Sequence, residues 1–376
     1  MKLLLIFVCF IFYTLPIYAQ IGKIERTALN IPDSETNTTD DIAAYIKSHF
    51  KTDEDKVRAI YTWVTNNIKY DKNSIHRIIL DEDQELRVIY ALKSRRGVCE
   101  NFAAIFNDIC QKSGIPSFYI EGYTKQNGSI DRTGHAWCAA FVNNNWALYD
   151  PTWDAGFLNG SNYVDLVGSH YFENLPDDFI SSHLPFDPMF QFLNHPLTYK
   201  EFYNGIKPNL LTGKQTNKPE SYFNYKDSLS VYNRSDSLSR YLASLHRIEN
   251  FDWPSSKIDT KLKRLKLEIE LIYQDRDMDF YHSAIADYNN GIDLLNKFIN
   301  YRNNQFQPVK KMNEVPGMFD TISKKIASAN EKLREVNKSE ATLTLNTGDI
   351  QQKLNDLVVY VKQQQNFYKN YLSSSK

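Results

Sequence analysis

Residues Thr133–Trp153 read TGHAWCAAFVNNNWALYDPTW, a pattern that is typical of a β-hairpin. Short runs of aromatic and β-branched residues flank an Asn-rich turn, as they do where two antiparallel strands are joined directly. Asn143 and Asn144 suit a two-residue turn, because Asn tolerates positive φ there. With this turn, Val142 faces Asn145, and the register of the hairpin follows.

This register brings an acid close to a histidine. It places Asp150 opposite Trp137, which shares one sheet face with His135. Asp150 is then a diagonal cross-strand neighbour of His135, at ~7–8 Å between backbones and within side-chain reach. A slip of one residue would send Asp150 to the other face. Considered singly, His135 is better explained as a strand histidine and Asp150 as a turn residue before Pro151.

Upstream, RRGVCENFAAIF (Arg95–Phe106) predicts the start of an amphipathic helix, with Cys99 in its first turn. Unpaired backbone N–H groups and the helix dipole favour a thiolate there, and the same N–H groups could bind an oxyanion. We expect Gly97 to let the chain turn sharply just before the helix. Because free cysteine is among the most buried residue types, a buried structural role for Cys99 is the alternative.

The other cysteines are poor partners for Cys99. Three cysteines follow residue 19, an odd number, so an exported chain would keep at least one thiol unpaired or intermolecular. Cys99 and Cys110 lie ~16 Å apart if they share one helix, which is too far for a disulfide. Cys138 alternates to the sheet face opposite His135, so a bridge to Cys99 is not expected. We interpret Cys110 and Cys138 as structural.

Cysteine, histidine and aspartate are the residue types of a nucleophilic acyl-transfer site. The thiolate attacks a carbonyl carbon, the imidazolium keeps the thiol ionised and protonates the leaving group, and the carboxylate fixes the imidazole tautomer. We therefore predict Cys99, His135 and Asp150 as catalytic residues, with no cofactor and no metal. A much weaker alternative is a metal site built from three later histidines, His170, His183 and His195.

Residues 1–19 predict a signal peptide. Lys2 precedes an apolar stretch, Leu3–Ile17, and Ala19 offers a small residue for cleavage. The apolar run is shorter than the ~20 residues that a membrane span requires. We therefore expect export to the periplasm or the extracellular space, with no integral membrane segment after cleavage. The net charge of -1 gives no reason to expect nucleic acid or an anionic membrane as a partner.

The order of the periodic segments predicts an α+β fold. Amphipathic helices over Asp40–Phe50 and Asp53–Ile68 precede the strands, after a loose lead-in over residues 20–35. From about Tyr222 onward, apolar residues recur at steps of three and four, which indicates an all-α helical bundle or a coiled-coil hairpin. The predicted division is a signal peptide (1–19), a catalytic domain (20–205), a helical linker (206–256) and a helical bundle or coiled-coil domain (257–376).

Several stretches together resemble the transglutaminase-like superfamily of papain-related cysteine enzymes. They are DKVRAIYTWVTNNIKYD, RRGVCENFAAIFNDIC, GIPSFYIEGYT, GHAWCAAFV and WALYDPTW. Cysteine, histidine and aspartate also follow one another in the family's order. The later segment HYFENLPDDFISSHLPFDPMFQFLNHPLTYKEF (His170–Phe202) resembles the extension in the branch of kyphoscoliosis peptidases and cytokinesis proteins. The resemblance covers roughly residues 40–205.

The resemblance implies a papain-like core in which Cys99 matches the nucleophile, His135 the base and Asp150 the orienting acid. Cys138 departs from the family, in which asparagine is common at that position. The implied activity is acyl transfer from an amide of a protein or peptide through a thioester, and we favour hydrolysis over crosslinking to a lysine. The family also contains scaffolds without the cysteine, so the alternative is a non-catalytic peptide-binding protein whose helical domain docks partners. Peptide N-glycanase is disfavoured, since the chain has no paired CxxC motifs.

Overall fold

A computed structural model describes most of the chain. The described residues are 22–72, 84–159, 162–165, 167–207, 223–308, 313–336, 339–342 and 345–374. The chain divides into two compact units, Met1–Leu262 and Lys263–Lys376. The expected signal peptide lies outside the described residues, and the domain boundaries after residues 205 and 256 stay predictions.

Three helices begin the first unit. They are α1 (residues 22–29), α2 (Thr39–His49) and α3 (Asp53–Asn67). The hydroxyls of Thr38 and Thr52 cap α2 and α3, because each accepts a hydrogen bond from a backbone N–H of the first turn. The expectation of a loose lead-in over 20–35 is wrong, since α1 buries Ile24 and Ala28 in the core of this unit.

The next elements lead to the predicted nucleophile. They are β1 (Lys69–Tyr70), α4 (Gln84–Ser94), β2 (Arg96–Gly97) and α5 (Cys99–Lys112). β1 and β2 form a short parallel pair. Phe102, Ile105, Phe106 and Ile109 of α5 are fully buried, as their spacing predicts. Beyond the helix, Gly114 has a φ of 83°, a conformation that glycine adopts readily after a helix end.

An antiparallel sheet packs against α5. Its first strands are β3 (Ser117–Gln126), β4 (Ser129–Ile130), β5 (His135–Val142) and β6 (Asn145–Tyr149), in the order β4-β3-β5-β6. Cys138 and Ala140 of β5 belong to the core that the helices share with one sheet face, whereas Trp137 and Ala139 belong to a second core on the other face. The predicted α+β fold, helices first and antiparallel strands afterwards, is confirmed.

The β5–β6 hairpin has the register that its sequence predicts. The observed pairs run from Val142 with Asn145 to Cys138 with Tyr149. Asn143 and Asn144 form the turn with φ values of 51° and 63°, as a type I′ turn requires. One step beyond the last pair, Asp150 therefore follows β6 at the level of Trp137.

The chain then returns to the edge of the sheet. It forms α6 (Pro151–Ala155), β7 (Gly156–Asn159), β8 (Asn162–Asp165), α7 (Pro176–Phe179), β9 (His183–Pro185) and α8 (Tyr199–Tyr203). β9 pairs antiparallel with β3, so that Thr124 lies opposite His183 and Gly122 opposite Pro185. Gly122 also lies opposite His135 of β5. β3 thus positions both histidine-bearing strands.

Further helices complete the first unit. They are α9 (Tyr225–Arg234), α10 (Ser237–Glu249) and the first two turns of α11 (Ser255–Asn303). The Arg247 guanidinium donates two hydrogen bonds to the Asp187 carboxylate at 2.8 and 2.7 Å. The indole N–H of Trp253 donates to the carbonyl of Phe186 at 3.0 Å. Arg247 and Trp253, which lie beyond position 205, are therefore packed within the first unit.

The second unit is helical. It contains the greater part of α11, together with α12 (Val315–Glu335) and α13 (Thr347–Ser374). Phe298, Ile322 and Leu354, one from each helix, are fully buried in a shared core. The predicted C-terminal helical region is confirmed, and its coiled-coil character stays a prediction. Within the described residues, every helix is too short or too polar to meet the criteria for a membrane span.

Candidate active site

Cys99 is the first residue of α5. The backbone N–H of Val98 donates to Asn101 Oδ1 at 2.9 Å, and Asn101 Nδ2 donates to the carbonyl of Arg87 at 3.1 Å. These bonds tie the first turn of α5 to α4. Cys99 itself is partly exposed, at a helix N-terminus whose dipole favours a negative charge.

The chain turns before Cys99 by a different device from the one expected. Arg95, two residues before Gly97, has a positive φ of 54°. Gly97 is not among the described glycines with a positive φ. Gly97 is needed for close approach, since a Cβ there would lie 2.5 Å from the Cβ of Asn101. The expectation that Gly97 makes the sharp turn is therefore wrong. Gly97 instead makes room for the side chain that caps α5.

His135 and Asp150 meet at the open end of the hairpin. His135 Nε2 lies 2.7 Å from Asp150 Oδ2. The Asp150 side chain is completely buried, and 11% of the His135 side chain is exposed. The proximity that the hairpin register predicts is therefore observed.

Asp150 is held from both oxygens. Its Oδ1 accepts hydrogen bonds from the backbone N–H groups of Thr152 and Trp153 at 2.9 and 3.1 Å, which caps the N-terminus of α6. Burial alone would raise the pKa of Asp150, but the charge of His135 and the hydrogen bonds from His135 and His183 hold it well below its usual range. The carboxylate is therefore ionised at any pH at which the protein would work.

His135 is held in its charged form. Burial disfavours the imidazolium, but the Asp150 carboxylate and Cys99 outweigh it and raise the pKa of His135 to about 10. Cys99 is near enough to the same ring to contribute to this rise. Nε2 is engaged by Asp150, so Nδ1 is the ring nitrogen that does not contact the carboxylate.

His183 belongs to the same cluster, and the sequence did not predict it as a catalytic partner. Its Nε2 lies 3.2 Å from Asp150 Oδ2, the atom that His135 also contacts. The only sequence signal was its place in the segment His170–Phe202, which resembles the extension found in one branch of the family. There it was considered as a metal ligand with His170 and His195. Of those three histidines, His183 joins the cluster, whereas the His170 backbone N–H donates to Asp154. No local pattern could reveal this, because β9 reaches Asp150 only through its pairing with β3.

Aromatic rings and a buried acid surround the cluster. The Trp153 ring lies 5.5 Å from that of His135 and 4.6 Å from that of His183. The next residue, Asp154, accepts a hydrogen bond from the hydroxyl of Tyr61 at 2.6 Å. That hydroxyl also contacts the carbonyl of Asp150 at 2.9 Å. The segment after the hairpin is thus fastened to α3, which fixes the Asp150 backbone.

The remaining described cysteines behave as expected. Cys99, Cys110 and Cys138 are all free. Cys110 and Cys138 are fully buried, and burial raises the pKa of both thiols. The Cys138 thiol donates to the carbonyl of Ala103 at 3.1 Å. Accessible thiol chemistry in the described part of the chain therefore belongs to Cys99.

The same cluster has the spacing of a metal site. The ligand atoms of His135, Asp150 and His183 lie within 4.8 Å of one another. Both imidazole Nε2 atoms are already hydrogen-bonded to the carboxylate, so a metal ion would have to replace two existing contacts. The expectation that the site uses no metal stays a prediction.

Comparison with known proteins agrees with the geometry. Residues 40–151 match the transglutaminase-like superfamily. Kyphoscoliosis peptidase of Homo sapiens is 27% identical over 177 residues, which cover 44% of this chain and 26% of that protein. Hillarin of Drosophila melanogaster is 26% identical over 214 residues, which cover 51% of this chain and 25% of that protein. The match thus spans about a quarter of the length of these two relatives.

Part of the chain also aligns with a solved structure. The periplasmic domain of TgpA from Pseudomonas aeruginosa aligns with a TM-score of 0.26 and 17% sequence identity. The alignment covers 35% of this chain and 48% of that chain. The resemblance that the sequence motifs suggest is confirmed by the family match, and the chain contains a transglutaminase-like domain.

Proposed function

We propose that this chain, which contains a transglutaminase-like domain, is an exported cysteine enzyme that transfers an acyl group through a thioester on Cys99. The supporting observation is that His135 Nε2 donates a hydrogen bond to Asp150 Oδ2 at 2.7 Å, while Cys99 is near enough to the same ring to help raise its pKa. The substrate class is an amide of a protein or peptide. Export rests on the signal-peptide pattern of residues 1–19.

The proposed reaction has two halves. The Cys99 thiolate attacks the amide carbonyl carbon, and the N–H groups at the start of α5 stabilise the negative oxygen. His135 gives its proton to the departing nitrogen, the C–N bond breaks, and a thioester remains. Neutral His135 then takes a proton from water, whose oxygen attacks the thioester carbon. The C–S bond breaks, and the products are the thiolate, the imidazolium and a carboxylic acid, which releases its remaining proton to solvent.

Water is the proposed acyl acceptor. Hydrolysis needs no second binding site, whereas transfer to a lysine amine requires a site that excludes water. The relatives include a protein named kyphoscoliosis peptidase, which supports peptide hydrolysis over crosslinking. With a lysine amine in place of water, the same thioester would give an isopeptide bond. The C-terminal helical unit is proposed to dock a protein partner or to hold the substrate protein.

The proposal is tested by alkylation of the native protein. Iodoacetamide at about pH 6 separates a stabilised thiolate from an ordinary thiol, because an ordinary thiol is almost fully protonated there. We expect Cys99 to be alkylated at least ~10-fold faster than free cysteine, which peptide mapping would locate. The buried Cys110 and Cys138 serve as internal controls, since both should stay unmodified until the protein is denatured. Labelling of Cys99 at the rate of free cysteine would refute the activated nucleophile.

Two variants separate an enzyme from a scaffold. The Cys99→Ala variant removes the nucleophile but leaves the cleft intact. If the chain is an enzyme, Cys99→Ala should bind substrate from a cell-envelope extract without forming product, whereas the unaltered chain should form and release product. Product formation by Cys99→Ala at the rate of the unaltered chain, or unchanged biological function in that variant, would favour a non-catalytic peptide-binding role. The His135→Gln variant should show both slow alkylation and slow turnover.

A further inference from the structure

We infer that His183 is a positioning residue of the proposed active site, one that holds Asp150 for His135 by donating a second imidazole N–H to the same carboxylate oxygen. The inference rests on the proposed function of Cys99 and deepens it. Asp150 Oδ2 lies 2.7 Å from His135 Nε2 and 3.2 Å from His183 Nε2. Since an ionised carboxylate only accepts hydrogen bonds, both Nε2 atoms must carry hydrogen.

The other ring nitrogen of His183 faces a hydroxyl that is compatible with this tautomer. The Ser182 hydroxyl lies 2.7 Å from His183 Nδ1. Because burial lowers the pKa of His183 to about 4, the ring is neutral near pH 7, and its single N–H is the one on Nε2. Nδ1 is then an acceptor, to which Ser182 donates. This arrangement directs the N–H of His183 at Asp150.

Neutrality of His183 matters for the charge on His135. The ring of His183 is sealed from solvent: it stacks on Phe179 with a centroid distance of 3.9 Å and meets the edge of Trp137 at 5.0 Å. A second imidazolium would compete with His135 for the one negative charge of Asp150. A sealed, neutral imidazole supplies a hydrogen bond without that competition. The negative charge of Asp150 is therefore left to stabilise one cation, the His135 imidazolium.

Other titratable groups also face His183. They are His135, Asp150 and Tyr171, with Asp131 contributing through its charge. The backbone N–H of Asp150 donates to the carbonyl of Tyr171 at 2.9 Å, so the same segment that borders His183 also holds the Asp150 main chain.

The carboxylate has four donors in total. Oδ1 accepts the N–H groups of Thr152 and Trp153, and Oδ2 accepts the two imidazoles. Asp150 is fully buried, so removal of His183 would leave part of Oδ2 unsatisfied where solvent does not reach. The carboxylate would then be less stable as an anion and less restricted in direction. Both changes weaken its control over His135.

The test compares two variants of His183. His183→Phe keeps a flat ring between Phe179 and Trp137 but has no hydrogen-bond donor. His183→Gln places an amide N–H near the position of Nε2. We expect His183→Phe to slow Cys99 alkylation by iodoacetamide about 10–100-fold. The acid limb of its rate–pH profile should move to higher pH, because a less firmly held Asp150 stabilises the His135 imidazolium beside Cys99 less. His183→Gln should restore most of the Cys99 alkylation rate, and its acid limb should lie at the same pH as in the unaltered chain.

A neighbouring variant controls for simple loss of stability. Leu184 follows His183 in β9, is fully buried, and belongs to a separate core. Leu184→Ala should lower the melting temperature but leave the acid limb in place. A His183→Phe profile that coincides with that of the unaltered chain would overturn the inference, and so would a shifted limb in Leu184→Ala equal to that in His183→Phe.

A second readout keeps this inference separate from the proposed function. The ring nitrogens of His135 can be followed by ¹⁵N NMR, without any alkylation. If Cys99 of the unaltered chain is not activated, the proposed enzyme fails. A changed His135 titration in His183→Phe, absent from Leu184→Ala, would still support His183 as a positioning residue. An unchanged His135 titration in His183→Phe would reject the inference while rapid alkylation of Cys99 left the proposed function standing.

Discussion

Asp150 joins the hairpin, α6 and two imidazoles through a single carboxylate. Replacement by Asn should separate these roles, because Asn keeps an oxygen for the cap of α6 but offers an amide N–H₂ to the histidines. We expect Asp150→Asn to lower the pKa of His135 from about 10 towards its usual value near 6.5, as followed by NMR titration. The rate of turnover should fall by about 10⁴. A His135 pKa that stays near 10 would show that Asp150 does not hold the charge.

The two imidazoles should give stability opposite dependences on pH. Burial lowers the pKa of His183 from 6.5 to about 4, so the unfolded chain binds more protons between these values, and stability falls as pH falls through this window. Burial opposes the charge on His135, but Asp150 and Cys99 raise its pKa to about 10. Its contribution is fully present below pH 6.5 and is lost as pH rises towards 10.

The free energy of unfolding should therefore be largest near neutral pH. Urea titrations at a series of pH values would measure it. His183→Phe should flatten the limb between pH 6.5 and about 4, whereas replacement of the exposed His282 by Gln should leave that limb unchanged. A limb that keeps its full slope in His183→Phe would mean that another group is responsible.

The site shows which residues a sequence can bring together. His135 and Asp150 could be paired in advance, because a two-residue turn fixes the register between them. His183 could not, since its place depends on β9 pairing with β3 far along the chain. Cys99 lies between these cases: the helix start was predictable, but its distance from His135 depends on how α5 packs against the sheet.

At the level of elements, the hairpin turn is open to improvement. Asn143 and Asn144 both have positive φ, and glycine has no Cβ penalty in that region. We expect Asn144→Gly to stabilise the protein by about 0.5 kcal/mol and Asn144→Val to destabilise it by about 1–2 kcal/mol. The β3–β4 turn, Asn127-Gly128, already has this pattern. Chemical denaturation would measure both, and equal stabilities would contradict the type I′ turn.

Gly122 is the point at which β3 holds both histidine-bearing strands. A Cβ there would meet the carbonyl oxygen of Leu184 and would lie 2.7 Å from the Cα of Pro185. We expect Gly122→Ala to push β9 outward and to destabilise the protein by about 1–3 kcal/mol. Hydrogen exchange should show faster exchange in β9 than in β6, and Cys99 alkylation should slow as in His183→Phe. Unchanged protection of β9 would contradict this close contact.

For the molecule as a whole, the sequence predicted the classes of structure, and the domain boundaries stay predictions. Apolar residues at helical spacing and the short strand segments predicted both the α+β core and the C-terminal helical region. The end of the family-like tail suggested a boundary near residue 205, yet Trp253 and Lys257 contact Phe186 and Tyr123. Such contacts join segments that are distant in the chain, so local periodicity could not reveal them.

Two shortened chains would test this boundary. A chain that ends at Leu262 keeps the hydrogen bonds from Trp253 to Phe186 and from Tyr123 to Lys257. It should unfold cooperatively and keep rapid Cys99 alkylation. A chain that ends at Asn250 loses both bonds and the packing of the indole, which should cost about 3 kcal/mol. Equal melting temperatures for the two chains would show that the start of α11 is not part of the first unit's fold.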